Sequence, residues 1–217
     1  SPGKWAYVPN GVDLDEWRVC ASLPAETVAA LQHIKARGLP VLGYAGTHGL
    51  ANALDVLLDA ASLLKGQVEI VLVGTGPERD RLMRRVAIEN LSNVTMLAAV
   101  PKIAMPALLE AIDIAFIGLQ PQALFRFGIS PNKLMDYMMA GKPIIQSVSS
   151  GNDLVTEVGC GITVPPNNAK LIAEAVIKLS KLSKDDLYQM GQRGALFVSA
   201  KRSYAVLSDD FIKILEK

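Results

Sequence analysis

Two short segments of the sequence carry the residue types that bind phosphate. Gly46-Thr47-His48-Gly49 sets two glycines around two hydrogen-bonding side chains, so its backbone can approach an anion closely with amides turned towards it. Ser130-Pro131-Asn132-Lys133 reads as a helix start, with Ser130 a good N-cap and Pro131 a good first helical residue. Lys133 then falls in the first turn, where the helix dipole disfavours a cation by ~0.3 kcal/mol. A docked anion reverses that sign, because free amides, dipole and ammonium all point at one phosphate. The plainer alternative is a surface pair between Lys133 and Asp136, worth about 0.3 kcal/mol. Asp136 lies one turn on, on the same face, and its carboxylate can accept two hydrogen bonds from ribose or sugar hydroxyls.

Further candidates flank these segments. Residues 118–129 make a loop of the length that function usually requires, and it carries Phe125, Arg126, Phe127 and Gly128. Arg126 offers a second cation. Gly74-Thr75-Gly76 resembles the opening of a dinucleotide fingerprint, but Arg79 stands where the third glycine belongs, which counts against a nicotinamide or flavin dehydrogenase. A close-approach turn beside a nucleotide base, with Gly74, Gly76 and the backbone near Val100, is the remaining use. His48 and Asn52 are further candidate contacts.

These residues must be held by elements, and the hydrophobic pattern supplies them. Apolar runs at 40–45, 68–73, 94–97, 112–117, 143–147 and 161–164 read as strands buried on both faces. Helical stretches at 51–64, 78–89, 104–111, 131–140, 153–157 and 169–182 alternate with them. A helix at 25–37 precedes the first strand, and helices at 185–199 and 203–215 end the chain. The alternation predicts an α/β fold, a doubly wound, Rossmann-like parallel sheet of about six strands with helices on both faces and extra C-terminal helices. Ligands in such sheets collect at the carboxyl ends of the strands where strand order reverses, here between the first and fourth. The loops leaving those two strands are the two phosphate-binding candidates.

Composition narrows the partners. The 217 residues carry a net charge of +1, so no electrostatic footprint for nucleic acid exists and an anion must be met by local groups. Cys20 and Cys160 are far apart with no metal or redox spacing, and two histidines are too few for a histidine-rich metal site. No run is long and apolar enough to span a membrane. A cytoplasmic place is expected, where the inner face of the cytoplasmic membrane is within reach.

The order of motifs resembles the family-4 (group 1) glycosyltransferases with the GT-B fold. Val8-Pro9-Asn10-Gly11-Val12-Asp13 is similar to their interdomain linker and Val73-Gly74-Thr75-Gly76-Pro77-Glu78 to their second-strand turn. Asp136-Tyr137-Met138-Met139-Ala140-Gly141-Lys142-Pro143-Ile144 is similar to their donor-site helix, and Gly161-Ile162-Thr163-Val164-Pro165-Pro166 to the strand end beyond. The first-strand and Ser130–Leu134 segments look like a branch that transfers N-acetylated amino sugars such as N-acetylfucosamine into O-antigen or capsule. The resemblance implies residues 1–15 as a linker remnant and 16–217 as a domain binding a nucleotide sugar, with UDP the expected base. It implies a retaining reaction without metal or other cofactor, a glycolipid acceptor, and an N-terminal acceptor domain of the same protein that this chain lacks. The chain alone is expected to bind donor and catalyse little. Asp136 matches the second of the family's two glutamates and would hold the ribose, while the first falls on Gly128. The family's first-loop Arg and Lys fall on Thr47 and Asn52, which leaves Lys133 or Arg126 to neutralise the diphosphate beside Gly46, Thr47, Ser130 and Asn132. The alternatives are a nucleotide-sugar epimerase or hydrolase, and a non-catalytic nucleotide-sugar binding module.

Overall fold

The structure is a computed structural model and describes residues 7–216. Six parallel strands, β1 (Val41–Ala45), β2 (Glu69–Val73), β3 (Val94–Leu97), β4 (Ile114–Gly118), β5 (Ile144–Ser147) and β6 (Gly161–Val164), form one sheet in the order β3-β2-β1-β4-β5-β6. Strand order reverses between β1 and β4, as the doubly wound reading expects.

Side chains alternate between two cores. Leu42, Tyr44, Ile70, Leu72, Ile114 and Phe116 enter one layer, with α3 (Leu54–Leu63), α4 (Arg79–Ile88) and α8 (Ala169–Ser180) packed over them. Val41, Ala45, Val71, Val73, Ala115 and Ile117 enter the other, under α2 (Ala25–Lys35), α5 (Met105–Glu110), α6 (Asn132–Met139), α7 (Leu154–Val158) and α9 (Lys184–Lys201). Each fully buried Leu, Ile or Val contributes roughly 1.5–3 kcal/mol against exposure, so a sheet covered twice needs strands apolar on both faces. The chain closes with α10 (Tyr204–Leu215).

Two local expectations are corrected, for Ser130 and for the loop after β1. Residues 1–6 of the expected linker lie outside the described residues. Within the rest, Val12 is buried in a parallel bridge to Ser203, its amide donating to the Arg202 carbonyl at 2.9 Å, and α1 (Leu14–Arg18) starts inside the span, capped by Asp13. Ser130 does not cap α6: Pro131 takes that position without a side-chain bond, while Asn10 donates to both the hydroxyl and the carbonyl of Ser130, at 3.4 and 2.6 Å. The first-strand loop also does not feed α3 directly. A short 3₁₀ turn (Leu50–Asn52) intervenes, and Ala53 adopts a left-handed φ of 49°. Among the described residues no helix is long and apolar enough to cross a membrane, and no group of three or more His, Cys, Asp or Glu could hold a metal ion.

Candidate functional site

Strands β1 and β2 pair along their full length, from Val41↔Glu69 to Ala45↔Val73. Strands β1 and β4 pair only at Leu42↔Ile114 and Gly43↔Ala115 and then part. Tyr137, from α6, enters the gap. Its buried hydroxyl accepts the Ala45 amide at 2.8 Å and donates to the Ala45 carbonyl at 3.2 Å, giving β1 the partners that β4 no longer supplies. Above this gap the two long loops meet, the Gln120 amide donating to the Ala51 carbonyl at 2.9 Å.

Lys133 lies at this opening. Its ammonium donates to the Tyr44 hydroxyl and to Asn52 Oδ1, each at 2.8 Å, and sits 4.3 Å from the centre of the Tyr44 ring. Among the described residues no carboxylate pairs with it, so the surface pair with Asp136 does not form. Burial without a counter-charge brings its pKa down from 10.5 to about 8. Asn52 completes the brace, its amide donating to the Thr47 carbonyl at 2.9 Å, where the Tyr44 hydroxyl also donates at 2.7 Å.

The Gly46–Gly49 loop presses against Lys133. A Cβ on Gly46, whose φ is +146°, would stand 3.1 Å from the ammonium nitrogen. The amide of Gly46 is not free for a ligand, however, because it donates to the Val73 carbonyl at 2.9 Å, and His48 donates likewise to Thr75 at 2.8 Å. The amides of Thr47 and Gly49 have no acceptor among the described residues, and the Thr47 side chain is exposed. Thus the unpaired amides beside Lys133 are those of Thr47 and Gly49, not that of Gly46. Gly74 and Gly76, assigned from sequence to a base, are filled by this loop instead: a Cβ on Gly74 would stand 1.9 Å from the Gly46 carbonyl oxygen, and one on Gly76 2.4 Å from that of His48. His48 is fully buried with neither ring nitrogen partnered among the described residues, and burial, then Arg79 and Lys133, lower its pKa.

The remaining candidates divide between two sides of the opening. Asp136 turns away from Lys133 into a cavity of about 520 Å³ with Trp17, Lys102, Ile103 and Met105. Burial raises its pKa, with Lys102 opposing the rise and Glu16 adding to it. Val100, half-buried against the core, precedes the Pro101–Lys102 rim of that side. Arg126 lies on the other side, exposed over the Phe127 ring at 4.6 Å, in a cleft with Gln122, Ser149 and Ser150. No hydrogen bond joins it to Lys133 among the described residues. Asn132 faces a groove with Pro9, Asn10 and Tyr204, and Ser130 is held by Asn10, so neither side chain stands with the ammonium. Gly128 has a φ of +108° and abuts Asn152, whose amide clasps the backbone of Ile129 in both directions at 2.7 and 2.9 Å.

The family model of the "Glycosyl transferases group 1" matches residues 39–181, well over half of the chain. The chain belongs to the group 1 glycosyltransferases. Among solved structures, a glycosyltransferase from Rickettsia africae superposes with a TM-score of 0.74 at 20% identity, covering 96% of this chain and 56% of that one. HepE of Anabaena, solved with UDP-glucose, gives 0.72 at 18%, with 95% and 56% covered. WaaG, a glycosyltransferase involved in lipopolysaccharide biosynthesis, gives 0.70 at 16%, with 97% and 56% covered. No curated protein sequence matches. The shared feature at these identities is the fold, one half of GT-B, and the glycosyltransferase chain spans little more than half the length of each.

Three residues of this glycosyltransferase site escape a reading of the sequence. Tyr44 and Tyr137 sit inside apolar runs, where a tyrosine looks like core, yet their hydroxyls organise the opening. Lys102 becomes visible only once the turn after β3 is seen beside α6. Its signal is its place directly after Val100-Pro101.

Proposed function

We propose that the chain is the donor-binding half of a retaining, metal-independent glycosyltransferase that takes a sugar from a nucleoside diphosphate, UDP by preference, for transfer to a lipopolysaccharide or other surface-polysaccharide acceptor. One observation carries the reading: an ammonium that pairs with no carboxylate among the described residues is half-buried where the carboxyl ends of β1 and β4 part. A dianionic leaving group would supply the missing charge, and Lys133 with the Thr47 amide would stabilise it as its bond to the sugar breaks. The 520 Å³ cavity suits a nucleoside, with Asp136 accepting from the ribose hydroxyls and the base lying towards Val100 and Lys102.

The likeness to HepE, solved with UDP-glucose, supports UDP, and the likeness to WaaG supports a lipopolysaccharide acceptor. The acceptor-binding domain, an N-acetylated amino sugar as the group transferred and a cytoplasmic site of action follow from the family resemblance of the motifs. Closure of that second domain over the opening would exclude water and protect the donor from hydrolysis.

Calorimetric titration with UDP, GDP, UDP-sugars and NAD tests the proposal. Binding of UDP or a UDP-sugar, weakened about tenfold or more in Lys133→Ala, is the expected result. Binding of NAD with no response to UDP or GDP removes it.

A further inference from the structure

The cleft on the β5 side of the opening is about 580 Å³ and is walled by the loops that follow β4 and β5. Among the described residues its only charged side chain is Arg126. None of the residues lining it is acidic, and Arg126 forms no ion pair among the described residues.

The cleft is built rather than incidental. Gly151 donates its amide to the Phe125 carbonyl at 2.8 Å, and a Cβ there would stand 2.1 Å from the Arg126 carbonyl oxygen, so the two loops touch backbone to backbone. Asn152 clasps Ile129 from the same side. The Arg126 guanidinium carbon lies 4.6 Å from the centre of the Phe127 ring, and the side chain lines the cleft. Ser149 and Gln122 offer neutral donors beside it.

Position says what enters. With the diphosphate over Lys133 and the nucleoside in the Asp136 cavity, the glycosyl group extends the opposite way, across β4 towards β5. Neighbouring strands are about 4.8 Å apart, so two strands span about the reach of one hexose. A planar guanidinium with no acidic neighbour matches a carboxylate through two parallel bonds, which a neutral hydroxyl cannot reproduce.

The geometry points to a donor sugar bearing a carboxylate, a hexuronic or aminouronic acid, read by Arg126. This inference rests on the donor-site reading above. An acetamido group at C2 and a carboxylate at C6 occupy different carbons, so the amino-sugar proposal is compatible with it.

The test is calorimetry on the chain, unchanged and as Arg126→Gln, with UDP, UDP-glucose and UDP-glucuronate. The expected result is at least tenfold tighter binding of UDP-glucuronate than of UDP-glucose, with the preference abolished in Arg126→Gln and UDP affinity unchanged. Equal binding of the two sugars by the unchanged chain overturns the inference and leaves the donor site intact. A fall in UDP affinity itself in Arg126→Gln also overturns it, by placing Arg126 on the diphosphate. Failure of all three ligands, with GDP and ADP equally silent, removes the donor site and the inference together.

Discussion

The Lys133 ammonium donates to Asn52 Oδ1 at 2.8 Å across 81 residues of sequence. Asn52, which the family resemblance aligns with a lysine, instead holds the ammonium that α6 supplies. Asn52→Ala should leave Lys133 with Tyr44 alone and weaken UDP binding several-fold, whereas Lys133→Ala should cost ~1.5–3 kcal/mol of it. Equal affinity in Lys133→Ala and the unchanged chain, by calorimetry, would make Lys133 a bystander.

The lowered pKa of Lys133 sets a pH dependence. The ammonium, not the amine, attracts phosphate, so affinity should hold below pH about 8 and fall above it, by up to about tenfold per pH unit. In the empty protein the sign is opposite. The unfolded chain keeps its proton up to 10.5 and the folded one only to about 8, so this group's contribution to stability rises between those values. Lys133→Arg keeps its charge throughout, and a binding profile as steep as that of the unchanged chain would assign the titration elsewhere.

His48 should behave as a neutral core residue. Its folded pKa is lowered, so between 6.5 and that lower value the unfolded chain binds a proton that the folded one refuses, and stability falls as the pH drops. His48→Phe, which removes two unpartnered nitrogens, should cost no more than about 1 kcal/mol at neutral pH and flatten this acid sensitivity. Thermal melts from pH 7 to 5 decide it. A large loss at pH 7 would reveal a partner for the ring.

Gly76→Ala places a Cβ 2.4 Å from the His48 carbonyl oxygen at a φ of +153°, so both backbone and contact resist it. A loss of ~2–4 kcal/mol is expected, with donor binding impaired in whatever folds, because the Gly46–Gly49 loop must shift. An unchanged melting temperature and affinity would mean that this loop yields freely.

Of the two thiols, Cys20 is exposed and Cys160 buried, with burial pushing the Cys160 pKa up to about 12. A thiol reagent at pH 8 should modify one cysteine of the native chain quickly and the second only on unfolding. Two fast thiols would contradict the packing of Cys160 against the α7–β6 turn.

The sheet was legible because its strands are apolar on both faces and short, a pattern few other structures produce. All six runs became strands, and the reversal between β1 and β4 followed. The site was legible at the level of which loops meet, less so at the level of side chains. Ser130-Pro131 carries a strong local capping signal, but Asn10, 120 residues away, competes for Ser130, and no local rule contains that partner. Asp136 and Lys133 share a helix face by spacing, yet a lysine long enough to reach β1 leaves that face. A missing side chain at 74 and 76 says only that something is close, which the sequence fits to a base, and in the fold it is Gly46 and His48.

The Tyr137 hydroxyl that satisfies both polar groups of Ala45 has one further effect. Strands parted without such a wedge would expose bare amides and carbonyls, and the sheet would tend to zip shut over its own mouth. With the wedge in place the empty opening is already at rest, so a donor need not spend affinity prying it apart. Tyr137→Phe keeps the ring and removes the wedge's polar end, and what it should harm is the readiness of the site more than any contact with the donor.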